Sequence, residues 1–173
     1  MAHYRVSSTK EGSNEQIIDE IDAHCFLDSK GVVHKEFVRP GHTVNATFYM
    51  EVLKRLKKRV THAHPEIAYT WVLHHENAPS HASLLVREFL AKQTVATLPQ
   101  LPYSPDLAPP DFFLFPRLKS SFKGHHFGTV KNVQAAVTNA VKEIPVQDIQ
   151  ASYVWQNHWK WCTDAQGCYF EEY

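Results

Sequence analysis

Cysteine is scarce in this chain: Cys25, Cys162 and Cys168 are the whole set among 173 residues. So few, and an odd number, argue against a disulfide framework and fit a reducing compartment. Cys162 and Cys168 stand six apart, which is not the spacing of a zinc knuckle. The histidines give no metal motif either. His62 with His64, and the adjacent His125 and His126, lack the i, i+4 spacing that places two imidazoles on one helical face. Net charge is lacking as well. Eighteen basic and eighteen acidic residues leave a formal charge of +0. The whole-molecule field therefore announces no nucleic-acid partner, and any basic surface has to be local. No apolar run approaches the ~18 residues of a membrane span, and the first twenty residues lack the apolar core of a signal peptide. Neither a span nor a signal peptide is expected. There are no internal repeats.

What is present suits one domain. An apolar content of 43% over 173 residues is enough for a real core. Met1 to Asp22 differs in composition: Ser7 to Asn14 is a polar linker, and Glu15 to Ile21 is a short candidate helix. Residues 1–22 are thus expected to form a polar segment apart from a domain over residues 23–173.

From Ala23 the pattern is sheet-like. His24–Leu27, the turn Asp28–Gly31 and Val32–Val38 read as a hairpin, with Gly31 at the flexible turn position. Thr43 is the expected N-cap of a helix over Val44–Val60, whose stripe Val44, Phe48, Val52, Leu56, Val60 faces a core. The other face carries Lys54, Arg55, Lys57, Lys58 and Arg59, the most basic cluster of a neutral chain. A solvated helix face and a phosphate-contacting face both fit it. Ile67–Leu73 reads as a central strand, Ser80–Gln93 as a helix with Leu84, Leu85 and Phe89 inward, and Thr94–Leu98 as another strand. Strand, helix, strand points to a parallel crossover beside an antiparallel hairpin. After a proline-dense loop, Thr129 caps a helix through Ile144, and Pro145 ends it. A last helix runs from Val146 to Thr163, with Gly167 as its C-cap. Trp155, Trp159 and Trp161 offer base-stacking surfaces, but their helical spacing reads as core.

Two carboxylates stand where such a fold delivers side chains to a sheet edge. The apolar run Trp71–Leu73 leads through His74 and His75 to Glu76, followed by Asn77, Ala78 and Pro79. Asp111 follows Pro109 and Pro110, in the first turn of a helix where the dipole favours negative charge. Two such acids can share a hard divalent cation, with Asn77 and His81 as polar neighbours able to orient ligands. On spacing alone the signal is weak. An ordinary helix-start Asp111 and a solvent-facing Glu76 fit as well.

Longer motifs are more specific. His75-Glu-Asn-Ala-Pro-Ser-His81 and Tyr103-Ser-Pro-Asp-Leu-Ala-Pro-Pro-Asp111 resemble the two most recognisable motifs of mariner-type transposases of the Tc1/mariner superfamily. The transposase half of the histone-methyltransferase–mariner fusion protein belongs to the same family. The 34 residues between Glu76 and Asp111 equal the family's spacing between its second and third catalytic acids. The resemblance runs from about Cys25 to Tyr173. It includes Gly31–Val38, Pro40–Asn45, Phe112–Pro116 and the tail Trp161-Cys162 with Gly167–Glu171.

The resemblance implies an RNase H-like α/β fold, a mixed sheet flanked by helices, and DNA transposition with Mg²⁺ or Mn²⁺. Glu76 maps to the second acid and Asp111 to the third, whereas Asp106 and Asp28 match no catalytic position. The departures matter more. The family's first acid is an Asp on the first strand, upstream of the hairpin, and nothing here corresponds to it. Its N-terminal helix-turn-helix modules have no counterpart either. The first strand is therefore expected to be missing, leaving an exposed edge or gap in the sheet, although His3–Val6 could substitute as a strand. Glu76 stands where the family has Asp, and an ångström-scale displacement of a ligand can cost on the order of 10²-fold in rate. The expectation is a truncated, degenerate transposase domain, inactive in strand cleavage, with weak or absent metal binding. DNA binding is expected to be weak and not sequence-specific, through Lys54 to Arg59, with no membrane partner and a nuclear location by resemblance. The alternatives are a non-catalytic DNA-binding module, or a residual metal-dependent endonuclease on Glu76 and Asp111, completed by an acid such as Asp19 or Asp22.

Overall fold

A computed structural model of the chain describes residues 2–6 (as backbone), 23–39, 41–100, 107–153, 160 and 164. Several sequence expectations lie outside these residues: the Ser7–Asn14 linker, the Glu15–Ile21 helix, Asp19, Asp22, Asp106, Trp155, Trp159, Trp161, Cys162, Cys168 and Gly167.

The organising element is one sheet in the order β3-β2-β1-β4-β5. Strand β1 is Ala2–Val6, β2 Ala23–Asp28, β3 Gly31–Phe37, β4 Val72–His75 and β5 Ala96–Pro99. β1 runs antiparallel to β2, with Tyr4 opposite Cys25, and parallel to β4, with His3 opposite His75. The sheet is thus antiparallel on one side of β1 and parallel on the other. This is the mixed RNase H-like α/β arrangement that the motifs imply.

The expected absence of a first strand is wrong. Ala2–Val6 fills the middle of the sheet, so the boundary at residue 22 does not fall at the sheet's edge. The physical reason is edge satisfaction: without β1, the inner edges of β2 and β4 would both expose unpaired backbone groups. A short polar-apolar stretch suffices, because pairing on both sides supplies the hydrogen bonds.

The β2–β3 hairpin forms as expected. Asp28 Oδ1 accepts from the amides of Lys30 (2.7 Å) and Gly31 (3.0 Å), and Gly31 takes φ +142°. Asp28 Oδ2 also lies 2.8 Å from His64 Nε2, tying the turn to the end of the first helix. That helix, α1, is Ala46–Ala63, and its N-cap is Asn45, not Thr43: Asn45 Oδ1 accepts from Phe48 N at 2.9 Å. Tyr49, Val52, Leu53, Leu56 and Val60 are its buried face.

The strand expected over Ile67–Leu73 begins later. Pro65 opens a 3-10 turn, Pro65–Ile67, and the amides of Thr70 and Trp71 both bond back to Ile67 O. Local bonding consumes the groups a ladder would need, and Tyr69 is left exposed. Helix α2, Leu84–Lys92, is also shorter than expected, because Ser83 is its N-cap. This phase buries Val86 and Leu90 and leaves Leu84 and Leu85 exposed. β5 starts two residues late because Thr94 takes φ 55° after the helix.

A π-helical turn, Pro110–Leu114, leads into α3, Phe115–Phe122. α4 is Val130–Lys142, capped by Thr129 as expected, and α5 is Val146–Ser152. The two sheet faces carry separate cores. Phe26, Tyr49, Leu53, Leu56 and Leu73 pack under α1 and α2. Cys25, Leu27, Leu114, Phe115 and Ile149 pack under α3, α4 and α5. Among the described residues no helix is long and apolar enough to cross a membrane.

Candidate active site

Glu76 leaves the end of β4 half-buried, with its side chain 30% exposed. Beneath it lies a cluster that the sequence did not announce. Tyr49 of α1 stacks on His81 with ring centroids 3.6 Å apart, and its hydroxyl is 3.1 Å from His75 Nδ1. His24 of β2 closes the cluster, 6.0 Å from His81. His81 is 1% exposed, and its Nδ1 lies 3.6 Å from Glu76 Oε1. Burial lowers the His75 pKa to about 4, helped by His74, so the imidazole is neutral at pH 7. Burial raises the Tyr49 pKa, and the Glu76 charge raises it further.

Two of these positions were visible as polar neighbours. His81 sits under the carboxylate. Asn77 instead donates its Nδ2 to Gln100 O at 2.7 Å, joining the ends of β4 and β5. Tyr49 was missed. Its sequence signal is a tyrosine on the apolar face of α1, where a hydroxyl needs a partner.

Asp111 sits in the π-helical turn, where its amide donates to Ala108 O at 2.8 Å. Pro109 and Pro110 are buried and offer no N–H of their own. A π turn widens the helix locally and is frequent at functional sites. Burial alone raises the Asp111 pKa to about 6. The turn packs against β1, and β1 pairs with β4. β1 is therefore the element that stands between the two acids. Its own sequence, Ala-His-Tyr-Arg-Val, contains no carboxylate.

The basic residues of α1 do not form one face. Lys54 pairs with Glu51 at 2.6 Å, Arg55 grips Glu36 of β3 at 2.6 and 2.8 Å, and Lys57 Nζ meets Gln93 Oε1 at 2.6 Å. Lys54, Lys57 and Lys58 line a groove of about 670 Å³ with His62 and Phe89. Arg59 points to a different groove, beside β3.

Residues 9–69 match the family model described as Transposase (partial DDE domain). The chain is 33% identical over 110 residues to the mariner Mos1 transposase of Drosophila mauritiana, covering 62% of this chain and 32% of that protein. It is 26% identical over 145 residues to the histone-lysine N-methyltransferase SETMAR of Homo sapiens, covering 82% of this chain and 21% of that protein. The fold superposes on the structure of the Mos1 transposase catalytic domain with Raltegravir and Mn at a TM-score of 0.84. That likeness has 25% identity and covers 98% of this chain and 84% of that one. In sequence and fold the chain is similar to mariner-type transposase catalytic domains. It spans about a third of the length of Mos1 and about a fifth of SETMAR.

A mariner-type domain that cleaves phosphodiesters through two cations needs oxygen ligands shared between both ions. The described residues do not fit that demand. β1, which lies between the elements that carry Glu76 and Asp111, brings no carboxylate. Among the described residues no group of three His, Cys, Asp or Glu is placed to hold a metal ion.

Proposed function

We propose that this mariner-type domain, transposition-related by family, does not complete DNA strand cleavage or strand transfer. Glu76 and Asp111 occupy the second and third acid positions. One observation carries the reading: β1 lies at the centre of the sheet, next to the strand that ends at Glu76, and brings no acid. Contact with DNA is weak and not sequence-specific, through the phosphate backbone. Lys54, Lys57 and Lys58 make it from the groove beside α2, which Arg55, turned to Glu36 of β3, does not line. Mg²⁺ or Mn²⁺ binding is weak, and the protein works in the nucleus. A second reading, a residual metal-dependent endonuclease on the same two acids, draws on the retention of Asp111 in a desolvated turn.

Nicking of supercoiled plasmid in Mg²⁺ or Mn²⁺ tests both. The expected result is no cleavage above that of Asp111→Asn, and no strand transfer by Glu76→Asp. Metal-dependent nicking that Asp111→Asn abolishes establishes the endonuclease instead. Binding of random duplex DNA should weaken steeply with salt and be reduced by Lys54→Glu/Lys58→Glu.

A further inference from the structure

β3 is the outer strand of the sheet, and a groove of about 410 Å³ runs along it. Arg59 of α1 walls one side. Lys142 of α4, with Val146 and Ile149 of α5, walls the other. Both faces of β3 reach the groove: Val33 packs with the α1–α2 core and Val32 with the α3–α5 core. A groove that straddles both faces of an edge strand is centred on that strand's backbone. β2 uses one row of β3's amides and carbonyls. The outward row pairs with no strand among the described residues.

The lining is chemically one-sided. Among the described residues four cations line it (Lys30, Lys35, Arg59 and Lys142), and no Asp or Glu does. Lys30 is committed to Glu66 at 2.8 Å. Lys35, Arg59 and Lys142 form no salt bridge among the described residues. Burial lowers the Lys35 pKa first, the buried Cys25 opposes this, and the nearby Lys142 lowers it again. An anion between these two lysines would relieve their repulsion. Beside them Val146 is 42% exposed.

Lysines and a bulge are devices that keep an edge strand from pairing indiscriminately. β3 has both, since His34 pairs with Phe26 and Val32 with Leu27, leaving Val33 as the extra residue. These devices repel a neutral or basic strand and favour an acidic one. Among the described residues no Phe, Tyr or Trp lines the groove, so they offer it no aromatic stacking platform for unpaired bases. A slot with an aliphatic floor also does not match the convex phosphate ridge of a duplex.

We propose that the edge of β3 docks an extended acidic segment of a partner protein. The segment adds to the sheet as a further strand. It sets carboxylates against Lys35, Arg59 and Lys142 and lays aliphatic side chains on Val32, Val146 and Ile149.

The test is fluorescence anisotropy of the full chain with a labelled nonapeptide that alternates Glu or Asp with Ile or Val. Saturable binding is expected, weaker at higher salt. Arg59→Glu/Lys142→Glu, both at exposed positions with the fold checked by circular dichroism, should reduce affinity about tenfold or more. Lys54→Glu/Lys58→Glu should leave it unchanged. Methylating alternate peptide amides should weaken binding by removing the strand's donors. No binding at millimolar peptide overturns the proposal. So does affinity that is unchanged in the Arg59/Lys142 variant or in the methylated peptide. Displacement by a 20-base-pair duplex whose own affinity falls in that variant would make the groove a nucleic-acid site instead.

Discussion

Tyr49 and His81 lie face to face, with ring centroids 3.6 Å apart and planes inclined by 26°. One comes from α1 and the other from the turn after β4, so the pair fixes the chain segment that carries Glu76. Glu76 Oε1 rests 3.6 Å from the same imidazole. The carboxylate is held from below by packing, whether or not chemistry follows.

Truncating the tyrosine should therefore cost stability on two scales. Tyr49→Phe keeps the stack and loses the contact between the hydroxyl and His75, costing about 1 kcal/mol. Tyr49→Ala opens a cavity in the core and should cost about 3–5 kcal/mol. Urea denaturation measures both. Equal costs for the two variants would mean that the ring contributes nothing.

His75 gives an acid limb to the stability curve. The unfolded chain takes up its proton near the ordinary value of about 6.5, whereas burial holds the folded imidazole near 4. Between those values protonation favours the unfolded state. Stability present above pH ~6.5 is thus lost as pH falls toward 4, by on the order of 2 kcal/mol. His75→Gln should flatten this limb in thermal melts between pH 7 and 4, and an unchanged slope would count against it.

Asp111 acts in the opposite direction. Its pKa rises from 3.8 to about 6 on folding. The protonated form favours the fold, and stability is lost as pH rises from about 4 through 6. In EDTA at pH 7, Asp111→Asn should then be more stable than the parent by about 1 kcal/mol, because a partly buried charge is removed. At pH 4 the two should melt together. A destabilised Asn variant at pH 7 would show that the charge has a partner in the fold.

Asn77 serves the strand ends. Its amide nitrogen donates to Gln100 O at 2.7 Å, across the β4–β5 junction. Asn77→Ala should cost about 1 kcal/mol. Amide exchange should quicken in residues 96–98 of β5 while β2 and β3 stay protected. Uniform acceleration across the sheet would assign the effect elsewhere.

Much of this architecture is legible in the residues. The hairpin follows from alternation around Asp28 and Gly31, and Thr129 and Pro145 mark the limits of α4. Both acids fall on the elements expected of them, Glu76 after a strand and Asp111 in a helical first turn. Other features depend on tertiary context. Nothing local in Ala2–Val6 says that it will be paired on both sides, because that outcome depends on the open edges of β2 and β4. The phase of α2 turns on Ser83 rather than on its leucines, so Leu84 and Leu85 point outward. The basic run of α1 looked like one surface, yet Glu36 takes Arg55 out of it and Arg59 faces another groove. Tyr49 was hidden because one tyrosine in an apolar stripe carries no pattern.

The placement of β1 has a kinetic side. Among the described residues, the β2–β3 hairpin and the β4–β5 pair are joined in the sheet only through this strand. Ala2 pairs with His74, which closes a loop of roughly 70 residues and spends its entropy before the contact is rewarded. Local pieces such as the hairpin and α1 can form early, but the sheet is completed last at its middle. Folding should be slow for the chain's length, as expected of high contact order. Until β1 docks, two open strand edges are available to neighbouring molecules, so refolding yield should fall as protein concentration rises.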